Sequence, residues 1–273
     1  MSSDLTVGIL QADFSGTPLE NAEKAVSLIK RGYREADLVV LPEYSMLNPL
    51  AVKDPSKVYE YSETLATGRY VSYFVRLAKE LETFLLIHVV ERTDTPPYSL
   101  NTSALISPQG EVVPVYSKMH LFDAYGFRES DFFRPGRGPG RVLNVNGVKI
   151  GVAICFDIRF PELFRTYAYK GVEVITVQAA WVKGPLKEHV LDNLATARAH
   201  ENGIYIVLVD HVGEMFVGRS GVFNPMGYKE LDLGASELYV EYTLNIENVR
   251  GAREIVPVLK YARERWIIEL LEK

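Results

Sequence analysis

Val148-Lys149-Ile150-Gly151-Val152-Ala153-Ile154-Cys155-Phe156-Asp157-Ile158-Arg159-Phe160-Pro161-Glu162 decides how this chain is read. Its first seven residues form an apolar, β-branched run, the mark of a buried strand. Pro161 followed by Glu162 marks a helix start, because proline fits the first helical turn and an acid complements it. Between them stands Cys155, the only cysteine in 273 residues. A thiol where a strand ends and a helix begins is well placed to serve as a nucleophile. A lone cysteine is also commonly a small buried hydrophobe. Local sequence leaves both readings open.

Working outward, Asn146-Gly147 predicts a two-residue hairpin between strands at 142–145 and 148–154. Downstream, the patterns predict helix over 161–170, strand over 174–178, helix over 186–202 and strand over 205–209. Upstream they predict strand over 6–11, helix over 21–36, strand over 38–41, helix over 71–81 and strand over 84–90. A hairpin follows, 103–106 with 112–116, around Pro108-Gln109-Gly110. Late strands at 221–224 and 238–244 are expected to join through Pro225-Met226-Gly227. Alternating strands and helices give an α/β class. Both halves have a strand–helix–strand rhythm, and no low-complexity linker divides them, so one domain is expected. Pattern alone allows an open sheet with helices on both faces.

Two distant segments bear on Cys155. Leu38-Val39-Val40-Leu41-Pro42-Glu43 puts a carboxylate just past a buried strand, and Val112-Val113-Pro114-Val115-Tyr116-Ser117-Lys118 puts an ammonium past another. A thiol, a base to activate it and a cation to hold an oxyanion are the parts of acyl transfer.

With these residues in place, the chain resembles the nitrilase superfamily of carbon–nitrogen hydrolases, whose hallmark is a Glu–Lys–Cys triad in that chain order. The match runs through Leu-Pro-Glu43, Tyr-Ser-Lys118-Met-His-Leu-Phe and Ile-Cys155-Phe-Asp-Ile-Arg-Phe-Pro-Glu-Leu. It continues through Ala179-Ala180-Trp181, Ala197-Arg198-Ala199-His200-Glu201-Asn202 and Gly218-Arg219-Ser220-Gly221, over roughly residues 4 to 260. The resemblance implies a four-layer α-β-β-α sandwich. It implies Cys155 as nucleophile, Glu43 as general base and Lys118 as oxyanion holder, with a further acid at Glu129, where Asp131 competes. The Phe156 backbone N–H is a plausible second oxyanion donor. The sequence after Cys155 looks like the branch of omega-amidase and deaminated-glutathione amidase, acting on a small carboxylic amide with water and no metal or organic cofactor. N-carbamoyl amino-acid hydrolysis and nitrile hydrolysis are alternatives on the same triad. Arg159, four residues past the nucleophile, would either grip a distal substrate carboxylate or pair with Glu162, with Trp181 and Tyr125 as pocket walls. The domain is expected over 4–245, with a tail over 246–273 that the resemblance places at the interface of a homodimer or larger homo-oligomer in preference to docking on its own domain.

Composition narrows the rest. With 30 basic and 35 acidic residues the net charge is −5, which argues against a general nucleic-acid binder. No apolar run is long enough to cross a bilayer, and Met1-Ser2-Ser3-Asp4 leads straight into a strand, so a cytoplasmic protein is expected. One cysteine permits no internal disulfide, and it lacks the resolving partner a redox thiol would use. His88, His120, His189, His200 and His211 lack any motif that would pair one with the thiol, and no metal-ligand spacing occurs. Asn101-Thr102-Ser103 fits a glycosylation sequon and is read as a chance match. Gly218-Arg219-Ser220-Gly221 is read as a strand entry, and Gly136-Arg137-Gly138-Pro139-Gly140 as a turn-rich connection. A non-catalytic binding protein on the same fold is the rival from another class, and its mark would be a missing triad member.

Overall fold

A computed structural model describes residues 4–265. The first half comprises β1 (Asp4–Gln11), α1 (Pro18–Gly32), β2 (Leu38–Val40), α2 (Pro49–Val52), α3 (Pro55–Tyr61), α4 (Arg69–Leu81), β3 (Phe84–Arg92), β4 (Ser99–Ile106) and β5 (Val112–Ser117). A small ribbon of β6 (Asp123–Ala124) and β7 (Phe127–Arg128) follows. The second half comprises β8 (Leu143–Val145), β9 (Val148–Ile154), α5 (Pro161–Tyr169), β10 (Val174–Ala179), α6 (Lys187–Asn202), β11 (Tyr205–Asp210), β12 (Gly221–Phe223) and β13 (Lys229–Asp232). β14 (Leu238–Asn245), α7 (Glu247–Ile255) and α8 (Val258–Arg265) complete it.

Two six-stranded sheets form, in the orders β14-β1-β2-β3-β4-β5 and β13-β12-β11-β10-β9-β8. The rhythm seen in the sequence becomes a shared pairing scheme. In each sheet three parallel strands stand between an antiparallel edge strand on one side and two antiparallel strands on the other. The sheets pack on each other, as the four-layer sandwich requires. Alternate residues of β1 and β2, such as Val7, Ile9 and Val40, share one core with Val152, Ile154 and Val177 of the second sheet. The opposite parity, Leu10, Val39 and Leu85, packs with Ile29 of α1 and Phe74 of α4. This is the period-two alternation of strands buried on both faces. Gln178 crosses between the sheets. Its Nε2 donates to Leu41 O at 2.6 Å, and its Oε1 accepts from the Ser103 hydroxyl.

Three expectations change. α1 begins at Pro18, three residues early, because Thr17 caps it: the Glu20 carboxylate and Thr17 form a reciprocal capping box. The turn after β12 leads to β13, not to the strand at 238–245, since Lys229–Asp232 pairs back on Gly221–Phe223. That late strand, β14, crosses to the first sheet and pairs antiparallel with β1 along its whole length, from Asp4↔Asn245 to Gln11↔Leu238. The alternation in β13, Lys-Glu-Leu-Asp, is too polar to announce a strand. Ile246, Val249 and Ala252 of the expected tail are buried against the chain's own core. Trp266 and the apolar run 267–271 lie outside the described residues. Among the described residues no helix is long and apolar enough to cross a membrane.

Candidate active site

β9 is buried on both faces and ends at Ile154. Cys155 then takes φ +43°, a left-handed conformation that costs a non-glycine residue free energy, and opens a tight 3-10 turn, Cys155–Arg159. Pro161 starts α5 directly after it. Asp157 holds this turn. Its Oδ2 accepts from Ile154 N at 3.0 Å and from the Tyr116 hydroxyl at 2.8 Å, and its Oδ1 accepts from His120 N at 3.2 Å. Since Tyr116 and His120 flank Lys118, a single carboxylate ties the lysine segment to the cysteine turn. His120 Nδ1 lies 2.7 Å from the same Oδ1, and its ring stacks on Phe160. From the other side Arg198, buried on α6, donates from Nε to Ile158 O at 2.9 Å.

Glu43, Lys118 and Glu129 come together as the sequence predicts. All three are essentially inaccessible to solvent. Lys118 Nζ donates to Glu43 Oε1 and Glu129 Oε2, both at 2.8 Å. Burial alone would lower the ammonium's pKa, but the charges of Glu129 and then Glu43 outweigh it, so its pKa is held above the usual value. Glu43 Oε2 also accepts from Ala180 N at 3.1 Å. Asp131, the competitor for the role of Glu129, is instead exposed and pairs with Arg128.

The cage needs a neutral donor between its carboxylates, and Asn101 supplies it. Its Nδ2 donates to Glu43 Oε1 at 2.9 Å and to Glu129 Oε1 at 2.8 Å. Tyr44 N donates to His88 Nδ1 at 3.1 Å, so the His88 proton sits on Nε2 and is donated to Asn101 Oδ1. Burial pushes the His88 pKa down to about 4, keeping the ring neutral. The Tyr44 hydroxyl donates to Glu129 Oε1 at 2.8 Å. Sequence reading missed Asn101, Tyr44, Asp157 and Arg198 as site supports. Asn101 stood inside a chance sequon, and its place on a buried central strand is visible only from the sheet.

Cys155 faces the same small compartment, lined also by Glu43, Lys118, Phe156, Arg159 and Trp181. Burial first, then the Glu43 charge, push the thiol pKa well above its usual value, against the opposing Lys118 charge and Ala180 N–H. The resting sulfur is therefore a neutral thiol. Arg159 does not pair with Glu162. Its Cζ lies 4.8 Å from the Trp181 ring centre and 5.8 Å from that of Phe156. Tyr125 is 79% exposed and lines an outer cavity, not this compartment.

The sequence matches the carbon–nitrogen hydrolase family over residues 6–253. The chain belongs to the carbon–nitrogen hydrolase family. It is similar to the deaminated glutathione amidase of Escherichia coli O157:H7, 32% identical over 247 residues that span 89% of this chain and 92% of that protein. The omega-amidase NIT3 of Saccharomyces cerevisiae is 28% identical over 280 residues, 96% of this chain and 94% of its own length. The crystal structure of Saccharomyces cerevisiae Nit3, a member of the nitrilase superfamily, superposes with a TM-score of 0.84 at 26% identity, covering 96% of this chain and 97% of that one. As a carbon–nitrogen hydrolase this protein is an enzyme, and these relatives are named amidases.

Proposed function

We propose that the protein is a cysteine-dependent amidase acting on a small carboxylic amide. The observation that carries this reading is the buried Lys118 ammonium, fixed between Glu43 and Glu129 in the compartment where the sole thiol lies. Since the resting thiol is neutral, attack and deprotonation are coupled: Glu43 takes the proton as Cys155 sulfur bonds to the amide carbon. Lys118, with the Phe156 backbone N–H, holds the oxyanion. The carbon–nitrogen bond then breaks. Ammonia leaves with the proton from Glu43, and a thioester remains on Cys155. Glu43 next takes a proton from water, which attacks the thioester, and the acid departs as the thiol reforms. These steps use side chains and water alone. Glu129 takes no proton in them. It positions Lys118.

Arg159 extends the reading to the substrate. It lines the compartment without a carboxylate partner among the described residues, and a guanidinium grips a carboxylate bidentately. The preferred amide therefore carries a distal carboxylate, as the resemblance to the omega-amidase branch also implies. A cytoplasmic setting suits the free thiol. We also propose that the face carrying exposed Ile255 and Tyr261 meets a second copy of the chain in a homodimer or larger homo-oligomer.

Ammonia release across amides, carbamoyl amino acids and nitriles tests the reaction. A slow amide should leave an acyl adduct on Cys155 by mass spectrometry, and Cys155→Ala should be inactive yet folded. A fully active Cys155→Ala enzyme ends the assignment.

A further inference from the structure

The space beside Cys155 is small. About 20 Å³ is open there, room for one or two water molecules. A second cavity of about 500 Å³ adjoins it, and the two share Leu50, Phe122, Phe127, Arg159, Val182 and Lys187 as walls. A substrate whose amide reaches Cys155 therefore extends its body into the adjoining outer cavity.

The charges of that outer cavity are one-sided. Its lining contains Arg159, Lys183 and Lys187 and no carboxylate. Lys183 is engaged, with Nζ donating to Gly213 O at 2.6 Å. Arg159 and Lys187 have no anionic partner among the described residues. Both are half-buried and both face Trp181, with Lys187 Nζ 5.6 Å from its ring centre. Trp181 is itself fixed, since its Nε1 donates to Lys187 O at 3.0 Å. Lys187 Nζ also lies 3.8 Å from the ring of Tyr125. Two partly desolvated cations, both close to one fixed indole and lining one cavity, make a site for two anionic groups.

We propose that Lys187, covered by Tyr125, forms a second anion subsite, so that the substrate is an amide with two carboxylates: one at Arg159, the other further along the chain at Lys187. This rests on the amidase reading with Arg159 as the first subsite and adds what lies beyond it.

Two amides of equal length test it, one with a single distal carboxylate and one with an additional carboxylate further out. Wild type should favour the second by about three- to five-fold in kcat/KM, the upper scale of one partly exposed charge pair. Lys187→Met should remove most of that preference through KM, with kcat for the two amides staying in step, and Lys187→Arg should restore it. Equal responses of the two amides to Lys187→Met, or no preference in wild type, would overturn the second subsite and reduce Lys187 to a solvated lysine packed on Tyr125. The underlying reading fails differently. Arg159→Met, compared on a neutral and a singly charged amide, reports the first subsite. Absence of ammonia release from all amides rejects the amidase reading, and calorimetric binding of the same two amides to the Cys155→Ala enzyme then still decides Lys187.

Discussion

β1 to β5 and β9 to β13 are joined by one pairing scheme, yet the two halves serve the site by different physics. The first half supplies charge. Glu43, Lys118 and Glu129 form a closed cage in which each carboxylate oxygen named above has a donor. The second half supplies a strained turn, Cys155 at φ +43°, held by Asp157 and Arg198. A cage of paired charges is rigid because opening it would bury an unpaired ion. A strained turn persists only while its surroundings over-determine it. The site works where the two meet, so the contacts between the halves matter as much as either part.

Breaking the charge half should have the largest effect. Glu43→Gln keeps shape and most hydrogen bonds but removes the base, and residues acting as a unit fail together, so activity should fall nearly as far as in Cys155→Ala, by on the order of 10⁴-fold or more. Lys118→Met should add a stability loss of about 3–5 kcal/mol, read as a fall in denaturation midpoint, because two buried carboxylates lose their common cation. If Glu43→Gln keeps ordinary rates and a histidine variant does not, a Cys–His mechanism replaces this one.

Cutting the link comes next. Asp157→Asn keeps size but weakens the acceptor shared by Ile154, Tyr116 and His120. The expected loss is about 10–100-fold in kcat, roughly the worth of a charged hydrogen bond. KM should change little, a split that a general loss of folding would not produce.

A subtler comparison uses one buried histidine from each half. His88 lies on β3 and His211 just past β11, and burial depresses each to a pKa of about 4. Unfolded histidines bind a proton below about pH 6.5, whereas these do not until about pH 4. Between those values the unfolded state holds more protons, so stability falls as pH falls, by about 1.4 kcal/mol per pH unit for each histidine. Denaturant titrations at pH 7 and pH 5 should show this slope. His88→Gln and His211→Gln should each remove one histidine's share, and a change confined to one half would show that the other ring is solvated. The smallest expected effect is none at all: adding or chelating divalent metal should leave kcat unchanged, and activity lost to a chelator and restored by zinc would contradict the proposed mechanism.

What could be read in advance follows a physical line. Strand ends carrying Glu43, Lys118 and Cys155, and the Asn146-Gly147 turn, are local signals. Both turn residues indeed take positive φ, +51° and +89°, as a tight hairpin demands. Asn101 and Asp157 gave no such signal, because their roles depend on groups brought together by sheet pairing. The same holds for Arg159, whose freedom from Glu162 rests on the direction of a short 3-10 turn. Lys187 likewise carries no local signal, and its setting depends on Trp181 and Tyr125 lying beside it.

The seam between β1 and β14 also bears on how the protein is made. The ribosome delivers β1 first and its edge partner, residues 238–245, more than two hundred residues later. During synthesis the second sheet can close on nearby strands, while β1 keeps an open edge of unpaired N–H and C=O groups until residues 238–245 have emerged. Such edges recruit other strands. β1 is therefore unguarded on that side while the intervening residues are made, and pairing with β14 closes that edge.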